Sequence, residues 1–202
     1  MARAASEAPV RRVESQARTR QLVLEAAERL FLADGFAATS LEDVAREAGF
    51  SKGAVYSNFA GKTDLFFAVL EGQFHDLAEQ LREAVTAEDD ALAQLAAVGT
   101  WYEQYLQVES GWARSLPEVV AITAQDEAAR ARFSALVQSI EVAVADLLAQ
   151  QQRSLGMRFG LPPQTLAALV VSLVIGLTVR SIHDLESPPQ LFHTGFVKLL
   201  AP

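Results

Sequence analysis

Hydrophobic residues recur along most of the chain at helical spacing, and no stretch shows the strict alternation that is typical of a β-strand. The clearest case lies between Gln16 and Asp34, where one predicted face comprises Val23, Ala26, Ala27, Leu30 and Phe31. These positions follow the i, i+3, i+4, i+7, i+8 spacing of a buried helix face. Gly35 can take the left-handed conformation that ends a helix. The pattern therefore predicts a first helix over residues 16–34.

Two short helices separated by a tight turn follow this first helix. Ser40 and Asp43 have the spacing of a capping box, with a short Asp in place of the preferred Glu. Gly49 ends the helix that Ser40 begins, and Ser51 caps a second short helix that runs to about Phe59. Two short helices joined by a tight turn that contains glycine are typical of a helix-turn-helix.

The remaining chain predicts further helices, most of them long. Their expected limits are Thr63–Val85, Ala91–Glu109, a short helix after Pro117, Asp126–Ser154, a helix opened by Pro162 and Pro163, and Leu191–Leu200. The longest apolar run extends from Ala167 to Val179. As a helix at ~1.5 Å per residue it spans about 20 Å, which is short of a ~30 Å hydrocarbon core. We expect a buried or subunit-interface helix there, and no membrane partner.

Charge is distributed unevenly between the two parts of the chain. The net charge is −8, which is unusual for a protein that binds DNA. Residues 1–65 contain nine basic and nine acidic side chains, whereas residues 66–202 contain eight and sixteen, so all the excess acid lies in the second part. The chain has no cysteine, which excludes disulfides and thiolate chemistry and fits a reducing compartment. Because residues 1–9 lack an apolar core, we expect no signal peptide and a cytoplasmic protein.

A longer motif contains the two short helices. From Phe36 to Leu65 the sequence reads FAATSLEDVAREAGFSKGAVYSNFAGKTDL. Together with Ala26-Ala27, Leu30-Phe31 and Gly35, this segment closely resembles the TetR family of regulators. The resemblance implies that Thr39, Lys52, Tyr56 and Lys62 contact the DNA backbone and that Gly53, Ala54 and Ser57 lie near the bases. The hydroxyl of Ser40, the cap Ser51 and the first N–H groups of the helices are further candidates for phosphate contacts.

Ser57 and Asn58 depart from the family's commonest pattern, in which a His, Tyr or other aromatic residue stands at these positions. The Asn58 amide either reads an adenine through a bidentate pair or is simply solvated. The departure affects the operator sequence that we expect, and it leaves the predicted DNA-binding role unchanged.

The resemblance also implies a division of the chain and an all-α fold. We expect a mobile basic arm over residues 1–15, a helix-turn-helix DNA-binding domain over 16–62 within an N-terminal three-helix bundle, and a helical effector-binding and dimerisation domain over 63–202. The arginine-rich arm either enters the minor groove or is a disordered solubilising tail. Double-stranded operator DNA, a second copy of the chain and an unidentified small-molecule effector are the expected partners.

Two residue sets in the second domain are candidates for its functions. An effector pocket is predicted from side chains with an apolar body and, in several cases, a polar tip: Trp101, Tyr102, Tyr105, Trp112, Phe133 and Val137. Plain core packing is the alternative for each of them. A self-complementary dimer seam is predicted from the two apolar C-terminal helices: Leu166, Leu169, Val170, Leu173, Leu177, Phe192 and Phe196.

Catalytic and metal chemistry find no support in the sequence. His75, His183 and His193 are far apart, and no second histidine stands at helical spacing from any of them. There is no glycine-rich phosphate loop, no nucleophile elbow and no clear acid–base pair, so we expect neither an enzyme nor a cofactor. The sequence therefore predicts a homodimeric transcriptional repressor that an effector releases from its operator. The alternatives are an effector-independent activator or nucleoid-type protein and, from another class, a helical enzyme or lipid-binding module.

Overall fold

The computed structural model describes residues 7–88, 90–108, 115–156, 158–183, 185 and 191–200, and within them the regular elements are all α-helices. In chain order they are α1 (Glu7–Ala38), α2 (Leu41–Ala48), α3 (Lys52–Tyr56), α4 (Lys62–Thr86), α5 (Ala91–Val108), α6 (Leu116–Gln125), α7 (Glu127–Leu155), α8 (Pro163–Ile182) and α9 (Leu191–Leu200). The predicted all-α class is confirmed for this part of the chain.

The helices form two compact units, Met1–Gly72 and Gln73–Pro202, and the division between them falls inside α4. The sequence placed this boundary at residue 62, before the helix. The difference arises because the first turns of α4 carry Leu65, Phe66 and Phe67, which are buried and belong to the first unit. α4 is thus a single helix that contributes residues to both units.

The core of the first unit is built on the face of α1 that the sequence predicted. Val23, Ala26, Ala27 and Phe31 are buried, as are Val44 on α2 and Val55 on α3. Both short helices contact α1. The Phe66 ring meets the Phe31 ring edge-on, with their centroids 5.3 Å apart. Apolar burial of this kind stabilises the bundle and fixes the two short helices against α1.

α1 begins earlier than the sequence predicted. It begins at Glu7, so residues 7–15 of the expected arm are helical, while residues 1–6 lie outside the described part. Five of these nine residues are Ala, Arg or Glu, which favour helix, and Pro9 lies in the first turn, where proline is tolerated. At the other end Gly35 has a φ of 82° and a ψ of 166°, which are not helical, so it interrupts the regular helix before the last turn of α1.

The second unit has a core that is shared by four helices. Its buried members are Tyr102 on α5, Leu148 on α7, Leu166, Val170 and Leu177 on α8, and Phe192 and Phe196 on α9. α8 packs against α7 and α9, and α9 also contacts α5. The rings of Tyr102 and Phe192 are stacked with centroids 4.1 Å apart, and they join α5 to α9.

Two helices of this unit are long and apolar enough to cross a membrane by length and composition: Glu127–Arg153 within α7 and Pro163–Ser181 within α8. For α8 the sequence prediction was too short, because the apolar helix extends beyond the run from Ala167 to Val179. The two helices pack against each other, and α8 contributes three buried side chains to the core. Core helices of folded proteins commonly have such a composition, so these lengths are weak evidence for a membrane segment.

Candidate nucleic-acid interface

α2 begins at a complete capping box, as the sequence predicted. The Ser40 hydroxyl accepts the Asp43 N–H at 3.1 Å, and the Asp43 carboxylate accepts the Ser40 N–H at 3.1 Å. Hydrogen bonds from the Ser40 side chain and backbone, together with the nearby Arg46 guanidinium, hold the pKa of Asp43 below its usual value. The Asp43 carboxylate therefore stays ionised where the helix dipole favours negative charge.

The turn between the two short helices depends on Gly49. Its φ of 74° and ψ of 25° place it in the left-handed region, where a side chain is unfavourable. The Phe50 N–H then donates to the Ala45 carbonyl at 2.9 Å. Ser51 caps α3 by accepting the Ala54 N–H at 3.3 Å. The chain thus reverses within a few residues, and α3 starts in a fixed orientation against α2.

α3 presents its N-terminal residues to solvent and buries the opposite side. Val55 is buried, whereas Ser51, Lys52, Gly53 and Tyr56 are exposed, with Tyr56 at 50%. A Cβ atom built on Gly53 would meet only the Ser51 hydroxyl, at 3.8 Å, among the described residues outside its own turn. The start of α3 therefore has a surface without large side chains, which another molecule can approach closely. The Lys52 ammonium and the Tyr56 phenol lie beside it.

The Lys52 ammonium is paired with a carboxylate of the neighbouring helix. It forms an ion pair with Glu42 on α2, and it lies 5.7 Å from the centre of the Tyr56 ring. The hydrogen bond between the Lys52 ammonium and the Glu42 carboxylate raises the pKa of Lys52 and lowers the pKa of Glu42. About half of each side chain is exposed, so the pair lies on the surface of the helix-turn-helix.

Thr39 and Lys62, two predicted phosphate contacts, donate hydrogen bonds to backbone carbonyls near the end of α1. Thr39 is 3% exposed, and its hydroxyl donates to the Gly35 carbonyl at 2.9 Å. The Lys62 ammonium donates to the Ala37 carbonyl at 3.1 Å and lies 4.3 Å from the centre of the Phe36 ring. Both groups fasten the end of α1, which differs from the role that the resemblance implied. The two side chains satisfy backbone carbonyls that the kinked helix end leaves open.

Ser57 and Asn58 also bond to the backbone of α3. The Ser57 hydroxyl and the Asn58 amide each donate to the Ala54 carbonyl at 2.8 Å. The Asn58 amide thus bonds a backbone carbonyl at the end of its own helix. The sequence offered a solvated amide or an adenine contact, and this backbone hydrogen bond is neither of them. Sequence reasoning missed Arg20 on α1, which donates to the Asn58 carbonyl at 2.9 Å and lies over the Phe59 ring at 4.3 Å.

Comparison with known proteins decides the family. Residues 23–69 match the family model described as bacterial regulatory proteins, tetR family. Over 82 residues the chain is 40% identical to the HTH-type transcriptional regulator TtgR of Pseudomonas putida, covering 40% of this chain and 39% of that protein. The chain thus contains a tetR-family domain over residues 23–69. The aligned part spans well under half the length of TtgR.

Solved structures resemble this chain over nearly its whole length. A TetR-family transcriptional regulator from Rhodococcus sp. has a TM-score of 0.72 at 21% identity, covering 92% of this chain and 100% of that one. The transcriptional regulator FadR from Bacillus subtilis, solved in complex with stearoyl-CoA, has a TM-score of 0.67 at 15% identity, covering 89% and 96%. At these identities the likeness shows a shared fold.

Two of the predicted pocket residues, Trp101 and Tyr102, share one cluster of the second unit, which does not include the described residues Phe133 and Val137. Tyr102 is buried in the core of the second unit, and Trp101 packs against the same cluster. Phe133 and Val137 are half-buried on α7. Trp112 and the side chain of Tyr105 lie outside the described part of the chain. For Tyr102, the contact with Phe192 corresponds to the alternative of core packing.

The predicted dimer residues divide into two sets. Buried within one protomer are Leu166, Val170, Leu177, Phe192 and Phe196, and Leu173 is half-buried beside them. Only Leu169, at 39%, is exposed among the predicted seven. The buried side chains already fill the core of their own protomer, which differs from the prediction that they meet a partner. Ile175 and Val179, not predicted, are also exposed on α8.

Proposed function

We propose that this tetR-family protein is a transcriptional repressor that binds operator DNA as a homodimer. The observation that carries the proposal is the exposed start of α3. Helix caps and the turn at Gly49 fix its position against the apolar core of the first unit. A rigid short helix with a small-residue face fits the major groove, where its N-terminal residues meet base edges.

Individual roles follow from exposure and chemistry. Gly53 and Ala54 let the helix approach the base edges closely, because their side chains are absent or small. Lys52 and Tyr56 carry an ammonium and a phenol at the rim of the same surface, where phosphates pass. The caps Ser40 and Ser51 place helix N-termini beside them, with hydroxyls that are already bonded to the backbone.

Homodimerisation is supported by an uncovered apolar face. α8 exposes Leu169, Ile175 and Val179, and α7, which packs against α8, exposes Val142 at 60%. A twofold axis beside these helices would pair each face with its own copy in a four-helix contact. Two helix-turn-helix units related in this way would contact half-sites about 34–36 Å apart.

A small-molecule effector bound by the second unit is the third part of the proposal. α4 supports it, because one continuous helix belongs to both units and can transmit a change in its tilt. An effector that favours the tilted state would shift the population away from the spacing that the DNA requires. FadR of Bacillus subtilis, which shares the fold, was solved with stearoyl-CoA, so a hydrophobic effector is a suitable first class to test.

Selection of binding sites from a random duplex library, followed by a gel-shift titration at low salt, tests the DNA-binding role. The Gly53→Asp variant should bind at least about tenfold more weakly, because a carboxylate then faces the phosphates and base edges. Its fold should be intact, since the new Cβ meets only the Ser51 hydroxyl, at an ordinary contact distance of 3.8 Å, and an acid suits a helix start.

Gly72→Asp is the matched control, with the same charge change at an open, exposed position of α4. It should leave DNA affinity within about twofold of the parent protein. The proposal would be contradicted if the protein selected no duplex from the library. It would also be contradicted if both variants lost DNA affinity equally.

The direction of regulation has its own measurement. A reporter gene placed behind the selected site should fall in expression when the protein is present, and a rise would favour an activator instead. A thermal-shift screen with acyl-CoA, hydrophobic and cationic compounds tests the effector, because a ligand of the native state must raise the melting temperature. If the protein is an effector-independent regulator, no compound should both raise its melting temperature and release it from DNA.

A further inference from the structure

The ion pair between Glu42 and Lys52 joins the two short helices on the surface that the proposed function assigns to DNA. Glu42 is the second residue of α2 and Lys52 is the first residue of α3, so the pair bridges the turn at Gly49. Both side chains are about half exposed, at 54% and 52%. DNA that approaches the start of α3 therefore meets an ammonium that already holds a carboxylate.

The first turn of α2 is strongly acidic around this pair. Asp43 follows Glu42 directly, and its carboxylate bonds to the Ser40 N–H and to Arg46. Its charge is thus met by partners of its own helix, whereas Glu42 is held by a cation from the next helix. Tyr56 also faces the Lys52 ammonium, at 5.7 Å. Removing Lys52 from Glu42 leaves two neighbouring carboxylates near a polyanion.

We propose that Glu42 competes with DNA phosphates for Lys52 and thereby lowers the affinity of the protein for DNA. The inference rests on the proposed function and adds a residue that limits affinity from within the helix-turn-helix. On binding, the Lys52 ammonium exchanges the Glu42 carboxylate for a phosphate oxygen. Glu42 then lies unpaired beside the DNA backbone.

Exposure makes this exchange possible. A solvated ion pair contributes little net stability because water and salt screen it, so a phosphate can displace the carboxylate. Displacement by DNA also releases condensed counterions, which drives binding at low salt. The contacts that hold Lys62 are different, since its ammonium bonds a backbone carbonyl and lies over a ring.

The test compares Glu42→Gln with the parent protein on a fluorescent duplex recovered by the selection described above. The variant should bind about two- to fivefold more tightly, which corresponds to the usual free energy of a surface ion pair. Because no uncompensated carboxylate remains near the DNA, the slope of log K against log salt should steepen by up to about one.

Glu47→Gln is the matched control. Glu47 lies on the same helix and is also ion-paired, but to Arg29 on α1 at 3.3 Å. Its affinity should stay within about twofold of the parent protein, because its partner is not a proposed phosphate contact. Melting temperatures of both variants should match that of the parent, since both side chains are exposed.

A double-mutant cycle with Lys52→Gln isolates the competition. Lys52→Gln alone should weaken binding. In this background the gain from Glu42→Gln should be smaller than in the parent protein, because the competition for Lys52 is gone and only relief of the repulsion between Glu42 and the DNA remains. Two results would overturn the inference while the parent protein still binds DNA. In one, Glu42→Gln raises the affinity for DNA as much in the Lys52→Gln background as in the parent protein. In the other, Glu42→Gln does not raise the affinity when Lys52 is present. If the parent protein binds no duplex at about 50 mM salt, the proposed function itself fails.

Discussion

The guanidinium of Arg20 lies 4.3 Å from the centre of the Phe59 ring and donates to the Asn58 carbonyl at 2.9 Å. One side chain of α1 thus covers the ring that closes the core after α3 and holds the carbonyl at the end of that helix. The two contacts tie the position of α3 to α1, so Arg20 is a positioning residue for the proposed DNA surface.

Arg20→Ala should lower the free energy of unfolding by about 1 kcal/mol, because it removes a cation–π contact and a charge-assisted hydrogen bond at an exposed site. Urea denaturation measures the change. Arg18→Ala is the control, since Arg18 is exposed on the same helix, and it should change stability by less than about 0.5 kcal/mol. Equal stability of the two variants would show that the Arg20 contacts contribute nothing measurable.

The capping box should make stability depend on pH. The folded pKa of Asp43 is below its unfolded value, mainly because the Ser40 side chain donates to the carboxylate. Its contribution is therefore fully present above the unfolded pKa of about 3.9, and it is lost as the pH falls through that value toward the lower folded pKa. Asp43→Asn removes this ionisation.

Thermal denaturation between about pH 3 and 7 checks the expected sign. The parent protein should be more stable than Asp43→Asn at neutral pH, and the difference should shrink as the pH drops below about 4. A difference for Asp43→Asn that stays constant with pH would contradict the assignment.

Two glycines should respond to the same substitution with opposite signs. Gly49 has a φ of 74°, so Gly49→Ala should destabilise the protein by about 1–2 kcal/mol even though the space around it is open. Gly72 is helical and also has open space, so Gly72→Ala should stabilise by about 0.5–1 kcal/mol. Urea denaturation of both variants measures the pair. Equal effects would mean that backbone conformation does not decide the cost at residue 49.

Much of the first unit could be predicted because its signals are local. Ser40, Asp43 and Gly49 act within a few residues of their own position, so the caps and the turn follow directly from the sequence. Val23 and Phe31 lie on a single apolar stripe, which leaves one choice for the buried face. The helix limits near Pro163 and Leu191 were also predicted, because prolines stand at or just before them.

Other contacts could not be predicted, because they join residues that are distant along the chain or positions that periodicity does not distinguish. Arg20 and Asn58 are 38 residues apart, and neither carries a pattern that points to the other. α8 is apolar on most of its surface, so its sequence cannot tell the face that packs in its own protomer from a face left for a partner. The prediction that Leu166 belongs to the dimer seam follows from this ambiguity, whereas the structure buries Leu166 in its own protomer.

Leu166 and Leu169 should therefore separate folding from dimerisation. Leu166 is 0% exposed, and Leu166→Ala should cost about 2–5 kcal/mol of stability through the cavity it leaves. Leu169 lies on the exposed side of α8, so Leu169→Asp should leave the helix content intact and shift the protein toward a monomer in light scattering after size-exclusion chromatography. A charge placed in an apolar seam is unpaired and desolvated in the dimer, which opposes association.

Leu161→Asp matches this variant in chemistry and exposure, because Leu161 is 42% exposed and precedes α8. It should retain the oligomeric state of the parent protein. DNA affinity gives an independent readout, since a monomer contacts one half-site and should lose most of the affinity for a two-half-site operator. A Leu169→Asp protein that stays dimeric would place the partner contact elsewhere and would contradict the proposed role of the exposed α8 face.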